Sequence, residues 1–106
     1  MASRDEAQNR PGVLKLVWSR AASGDRRAIR EYVAADNPRA AIALDELIGA
    51  KAARLARHPN LGRPGRTPKT RELVVHRNCV LVYDIAEGAL VRVLRVLHAA
   101  RQWPPT

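Results

Sequence analysis

Apolar positions along the chain alternate at both ends and recur at helical spacing between them. Residues 13 to 18, Val-Leu-Lys-Leu-Val-Trp, form a short apolar run bounded by Pro11-Gly12 and Ser19, which predicts a first strand. From 21 to 35, Ala22, Ile29, Tyr32 and Val33 fall at helical spacing between charged Arg26, Arg30 and Glu31, which predicts an amphipathic helix. Asp36-Asn37-Pro38 stops it: Pro38 suits the first turn of a following helix, and Asn37 or Asp36 can cap that helix. The second helix is predicted over 38 to 58, with Ala41, Leu44, Ile48, Ala52 and Leu55 on one stripe. So short a turn makes the two helices an antiparallel hairpin.

His58-Pro59-Asn60-Leu61-Gly62 breaks the helical period, and Pro64, Gly65 and Pro68 keep it from resuming. Three strands are then predicted over 71 to 76, 79 to 85 and 90 to 99. Their connections are too short for parallel crossovers, so they form an antiparallel meander. The expectation is an α+β fold: a four-stranded antiparallel sheet, order β-α-α-β-β-β, with the helical hairpin on one face. Residues 1 to 12 have the composition of a disordered tail, and 13 to 104 are expected to form one domain.

Composition narrows the function classes. The chain has 106 residues, enough for one small core, and its 46% apolar share contains no Phe, so the core must be aliphatic. One cysteine, Cys79, forms no internal disulfide and suits a reducing compartment; no run approaches the ~18 apolar residues of a membrane span, nor is there a leader-like apolar core. A cytoplasmic protein is expected. Nineteen Lys and Arg against ten Asp and Glu give a net charge of +9. Residues 1 to 50 hold eight basic and seven acidic side chains, whereas 51 to 106 hold eleven and three, so the excess sits in the second half. Such a balance suits a polyanionic partner.

The basic segment 62 to 79 supplies Arg63, Arg66, Lys69, Arg71 and Arg77. Arginine offers a planar donor fork for phosphate or carboxylate and stays charged near neutrality. Arg71 shares a face with Leu73 and Val75 by the period of a strand, which leaves two readings: a rim position open to a ligand, or an ion pair with a carboxylate such as Asp84. His98, in phase with Leu94 and Val96, is either a general acid or base or a residue that hydrogen-bonds a neighbour. His58 reads as a helix-end cap and His76 as a turn residue. Cys79 alternates with Leu81, Tyr83 and Ile85 and reads as core rather than nucleophile. No His or Cys pair has metal-ligand spacing, so no metal is expected. The run from Gly62 to Gly65 precedes a strand and lacks the Gly-Lys-Ser/Thr ending of a phosphate loop. Tyr83 and Trp103 offer stacking faces for a base, but two Trp and two Tyr make no platform.

Several phrases, taken in order, resemble the ParE/RelE superfamily of toxins from bacterial type II toxin-antitoxin modules. They are Trp18-Ser19, "IREY" at 29 to 32 followed by "NPRAA" at 37 to 41, "HPNLGR" at 58 to 63, "TRELVV" at 70 to 75, Val82-Tyr83, and "RVLHAARQWP" at 95 to 104. The resemblance spans roughly 13 to 104. It implies a cognate antitoxin as partner, whose acidic C-terminal segment folds on binding, and no cofactor. RelE-like members of the superfamily are ribosome-dependent mRNA endonucleases; under that reading Arg71 or Arg77 and Arg101 supply cations and His98 an acid or base. No tyrosine follows residue 83, however, the chain ends in Pro-Pro-Thr, and the basic loop holds one lysine, so the nuclease complement looks incomplete. ParE-like members poison DNA gyrase without being enzymes, and "HPNLGR", "TREL" and "VLH" resemble them more closely. The expected contact surface is then Arg63, Arg66, Lys69, Arg71, Arg77 and Arg101. A base-reading DNA-binding module is disfavoured, because neither helix combines base-contacting polar side chains with the charge.

Overall fold

The computed structural model describes residues 13–87 and 89–99. Its elements are β1 (Lys15–Trp18), α1 (Arg20–Ala34), α2 (Pro38–Leu55), β2 (Arg63–Pro64), β3 (Arg71–His76), β4 (Cys79–Ala86) and β5 (Leu90–His98). The α+β class and the helical hairpin are as expected. The sheet is not: it has five strands in the order β1-β5-β4-β3-β2, and β1 runs parallel to β5, with Lys15 opposite Leu90 and Trp18 opposite Val93.

Chain direction explains the parallel pair. The helices go out and back, so α2 ends beside the start of β1, where the Leu14 amide donates to the Ala56 carbonyl at 2.7 Å. β3 therefore sets off from the same end of the molecule as β1. Two reversals through the meander leave β5 pointing the same way, and parallel pairing follows. The extra strand, β2, is a two-residue edge pairing antiparallel to β3, Arg63 with Glu72 and Pro64 with Arg71. A proline-rich basic loop carries no strand pattern, and an edge is the place where a residue lacking an N–H is tolerated.

Caps fix the helix limits. Ser19 Oγ accepts from the Ala22 amide at 2.9 Å and itself donates to the Leu94 carbonyl at 2.9 Å, so one side chain starts α1 and ties it to β5. Asn37 Oδ1 accepts from the Ala40 amide at 3.1 Å with Pro38 in the first turn. α2 ends at Leu55, three residues short of the predicted His58, because a residue before proline resists the helical conformation and the chain unwinds ahead of Pro59.

The core is aliphatic: Ile29 of α1, Ile48, Ala52 and Leu55 of α2, and Leu73, Val75, Leu81, Val91, Val93 and Val96 of the sheet are buried around Cys79 and Tyr83. The α2 stripe is as predicted, with Leu44 only partly covered. Tyr32, placed on the inner face of α1 by its spacing, is instead 47% exposed. A register shift at Val82/Tyr83 leaves Leu94 as an extra residue in β5. Inward positions thus change parity, from Val91 and Val93 to Val96, so His98 is in phase with Val96 but not with Leu94.

Candidate functional site

The segment from Pro59 to Arg71 is held from beneath by one buried tyrosine. Tyr83 is fully buried; its hydroxyl donates to the Pro59 carbonyl at 2.7 Å and accepts from the Gly62 amide at 2.8 Å. Arg71 Nη1 completes the clamp by donating to the Gly62 carbonyl at 2.6 Å. A Cβ on Gly62 would lie 2.7 Å from the Tyr83 ring and 2.8 Å from the Glu72 carbonyl oxygen, so no larger residue fits. Burial pushes the Tyr83 hydroxyl above its ordinary range, and the Gly62 amide and Arg71 charge offset part of that. Tyr83 is therefore a clamp and has no face for a base; Trp103 lies outside the described residues.

Arg71 is not paired with Asp84. Register places Arg71 opposite Tyr83, while Asp84 points to the other face and takes Arg92 at 2.8 and 2.6 Å. Arg71 is a rim residue whose guanidinium is committed to a backbone carbonyl.

The next residue, Glu72, does the same work on the opposite face. It is 8% exposed and accepts from the Arg66 amide at 3.2 Å, while Arg63 Nη2 and Arg66 Nε approach its carboxylate at 3.5 and 3.8 Å. These long contacts leave the Arg63 and Arg66 side chains 63% and 85% exposed. Lys69, also exposed, turns the loop with φ 68°. Arg77 projects from the β3–β4 turn, and Arg66, Glu72, Arg77, Asn78, Val80 and Leu97 line one shallow cleft of about 180 Å³. Arg63 and Arg66 therefore belong to the Glu72 face of the sheet and Arg71 to the other, while Arg77, in the turn, borders both; Arg101 lies outside the described residues.

His98 stands at the far end. It pairs with Cys79, which pairs with His76, whereas Arg71 pairs with Tyr83. Five residues of strand separate the two levels, about 16 Å. The structure does not bring Arg71 and His98 together. His76, Arg77 and His98 line one groove of about 700 Å³ floored by Val33, Leu44 and Leu47. The Tyr32 ring sits 6.4 Å from the His98 ring, tilted by 59°. Spacing alone marks His76 as a turn residue; the registers of β3 with β4 and of β4 with β5 place it and His98 on either side of Cys79. Cys79 is wholly buried and its thiol is pushed up to about 11, so it is not poised as a nucleophile. Among the described residues no three His, Cys, Asp or Glu gather in a metal-binding group, and no helix is long and apolar enough to cross a membrane.

Residues 16–103 match the family model described as the ParE toxin of the type II toxin-antitoxin system, parDE. The chain belongs to this family. Toxin RelE2 of Caulobacter vibrioides is 39% identical over 87 residues, covering 82% of this chain and 97% of that protein. Y4kP of Sinorhizobium fredii, also named as a toxin, is 36% identical over 91 residues, covering 85% and 93%. Among solved structures, the chromosomal ParDE system from P. aeruginosa superposes with a TM-score of 0.74 at 23% identity, over 82% of this chain and 97% of that one. The toxin-antitoxin complex RelBE2 from Mycobacterium tuberculosis gives 0.56 at 24%, over 81% and 98%. These likenesses establish the fold, and the family match makes the chain the toxin component of a type II module. Within this ParE family member, the clamp on the "HPNLGR" turn accounts for that phrase in physical terms.

Proposed function

We propose that this toxin acts by binding, poisoning DNA gyrase as ParE-like proteins do, and that a cognate acidic antitoxin neutralises it. The observation that carries the reading is the division of labour among the arginines. Arg63 and Arg66 are presented outward on a loop fixed by Tyr83, Arg71 and Glu72, which suits a preorganised contact surface. Arg71, committed to the Gly62 carbonyl and about 16 Å along the strands from His98, is badly placed to share an acid-base task with it. Purified toxin is expected to block supercoiling or to accumulate cleaved DNA in a gyrase assay, and Arg63→Glu with Arg66→Glu to abolish the effect. Full supercoiling at saturating toxin removes this target.

A second reading, a ribosome-dependent mRNA endonuclease, draws support from the relative named RelE2 and from His76, Arg77 and His98 around one groove. It predicts new cuts in translated transcripts by primer extension after induction, lost in His98→Ala. Intact transcripts exclude it. The antitoxin is proposed to meet the exposed cations with an acidic segment that orders on contact.

A further inference from the structure

The helical hairpin carries a second group of arginines that the charge count of the first half conceals. Trp18, Ser23, Arg26, Arg27, Arg30 and Asp45 surround an open hollow of about 390 Å³. Arg26 is its fixed wall: Nε donates to Asp45 Oδ1 at 2.8 Å, Nη2 donates to the Asp45 backbone carbonyl at 3.1 Å, and the guanidinium lies 4.7 Å from the centre of the Trp18 ring. Gly49, one turn beyond Asp45, makes the room, since a Cβ there would come 2.9 Å from Arg26 Nη2. Asp45 is thereby largely spent on Arg26. Arg30 reaches it only at 3.5 Å and stays 46% exposed, and Arg27 is exposed with no carboxylate partner among the described residues. Glu31, one turn from Arg27, forms no ion pair with it among the described residues. Three guanidinium groups thus face one carboxylate.

We propose that this hollow holds the phosphodiester backbone of a nucleic acid through Arg27 and Arg30, with the Ser23 hydroxyl as an additional donor. Arg27 and Arg30 are three apart on α1, so their stems rise about 5–6 Å from one another and two forks are offered side by side. The surroundings select phosphate over an acidic peptide. No apolar side chain other than the Arg26-covered Trp18 lines the hollow, so a peptide has nothing to bury, whereas backbone phosphates need only charge and donors. Reading a backbone asks for no base-contacting residues, which is what α1 lacks. The site does not depend on which target the toxin poisons.

The test uses the full-length toxin and fluorescence anisotropy with two labelled probes, a duplex DNA and a single-stranded RNA of unrelated sequence. Arg27→Ala with Arg30→Ala is expected to weaken binding about tenfold and to lower the salt slope by about 2 between about 50 and 200 mM. This double variant keeps the Arg26–Asp45 pair, and an unchanged thermal melt verifies the fold. The tighter probe assigns the source of the backbone, and either one supports the proposal. It is overturned if neither probe binds, if the double variant binds like the parent, or if affinity falls only in Arg63→Ala with Arg66→Ala. Competition by poly-glutamate as effective as by unlabelled nucleic acid also overturns it and gives the surface to an acidic protein.

Discussion

At the scale of single residues, Tyr83 and Cys79 are the side chains whose burial has measurable consequences. Tyr83→Phe keeps the ring but strands a backbone amide and a carbonyl; a loss of about 2–3 kcal/mol in urea unfolding is expected, with looser presentation of Arg63 and Arg66. Cys79 gives a pH prediction. Its thiol ionises near 9.0 in the unfolded chain and at about 11 when folded, so the folded state retains a proton that the unfolded state releases. Stability from this source is complete below pH 9.0 and is lost as pH rises toward 11, by roughly 2–3 kcal/mol. Tyr83 shifts in the same direction and adds to the slope. Denaturation midpoints between neutral and alkaline pH measure it, and Cys79→Ala is expected to flatten the curve.

At the scale of elements, α1 is fastened to the upper part of β5 by Asp25, whose carboxylate takes Arg95 at 2.7 and 2.9 Å and the Val96 amide at 2.9 Å. Asp25→Ala leaves that amide without its acceptor and is expected to cost about 1–3 kcal/mol in thermal or urea denaturation. Periodicity made both helices and the meander legible, because their apolar positions keep one spacing over many residues. It did not reveal β2, where Pro64 and its neighbours carry no alternation, nor the Leu94 bulge, which shifts parity without any local mark. The strand β1 was legible but its parallel pairing was not, because pairing direction depends on where the hairpin returns the chain. Site residues were legible as types: the arginines were visible, but opposite faces for Arg71 and Glu72 separate them into clamp and contact only once Tyr83 is seen below.

For the whole molecule, the net charge of +9 is distributed over more than one surface, and reversal experiments must respect this. Arg77→Glu is expected to weaken the antitoxin complex, more so at low salt, while leaving the melting temperature nearly unchanged; titration by calorimetry at two salt concentrations measures it. Arg71→Glu is a poor probe of binding, since it also opens the Gly62 clamp. The parallel pairing of Lys15 with Leu90 has a consequence of its own. It ties together the first and last strands of the described residues, so closing that edge of the sheet waits on its pairing of greatest sequence separation. A slow loop closure of this kind is expected to make the β1–β5 seam the last part of the sheet to gain protection in pulsed hydrogen exchange during refolding.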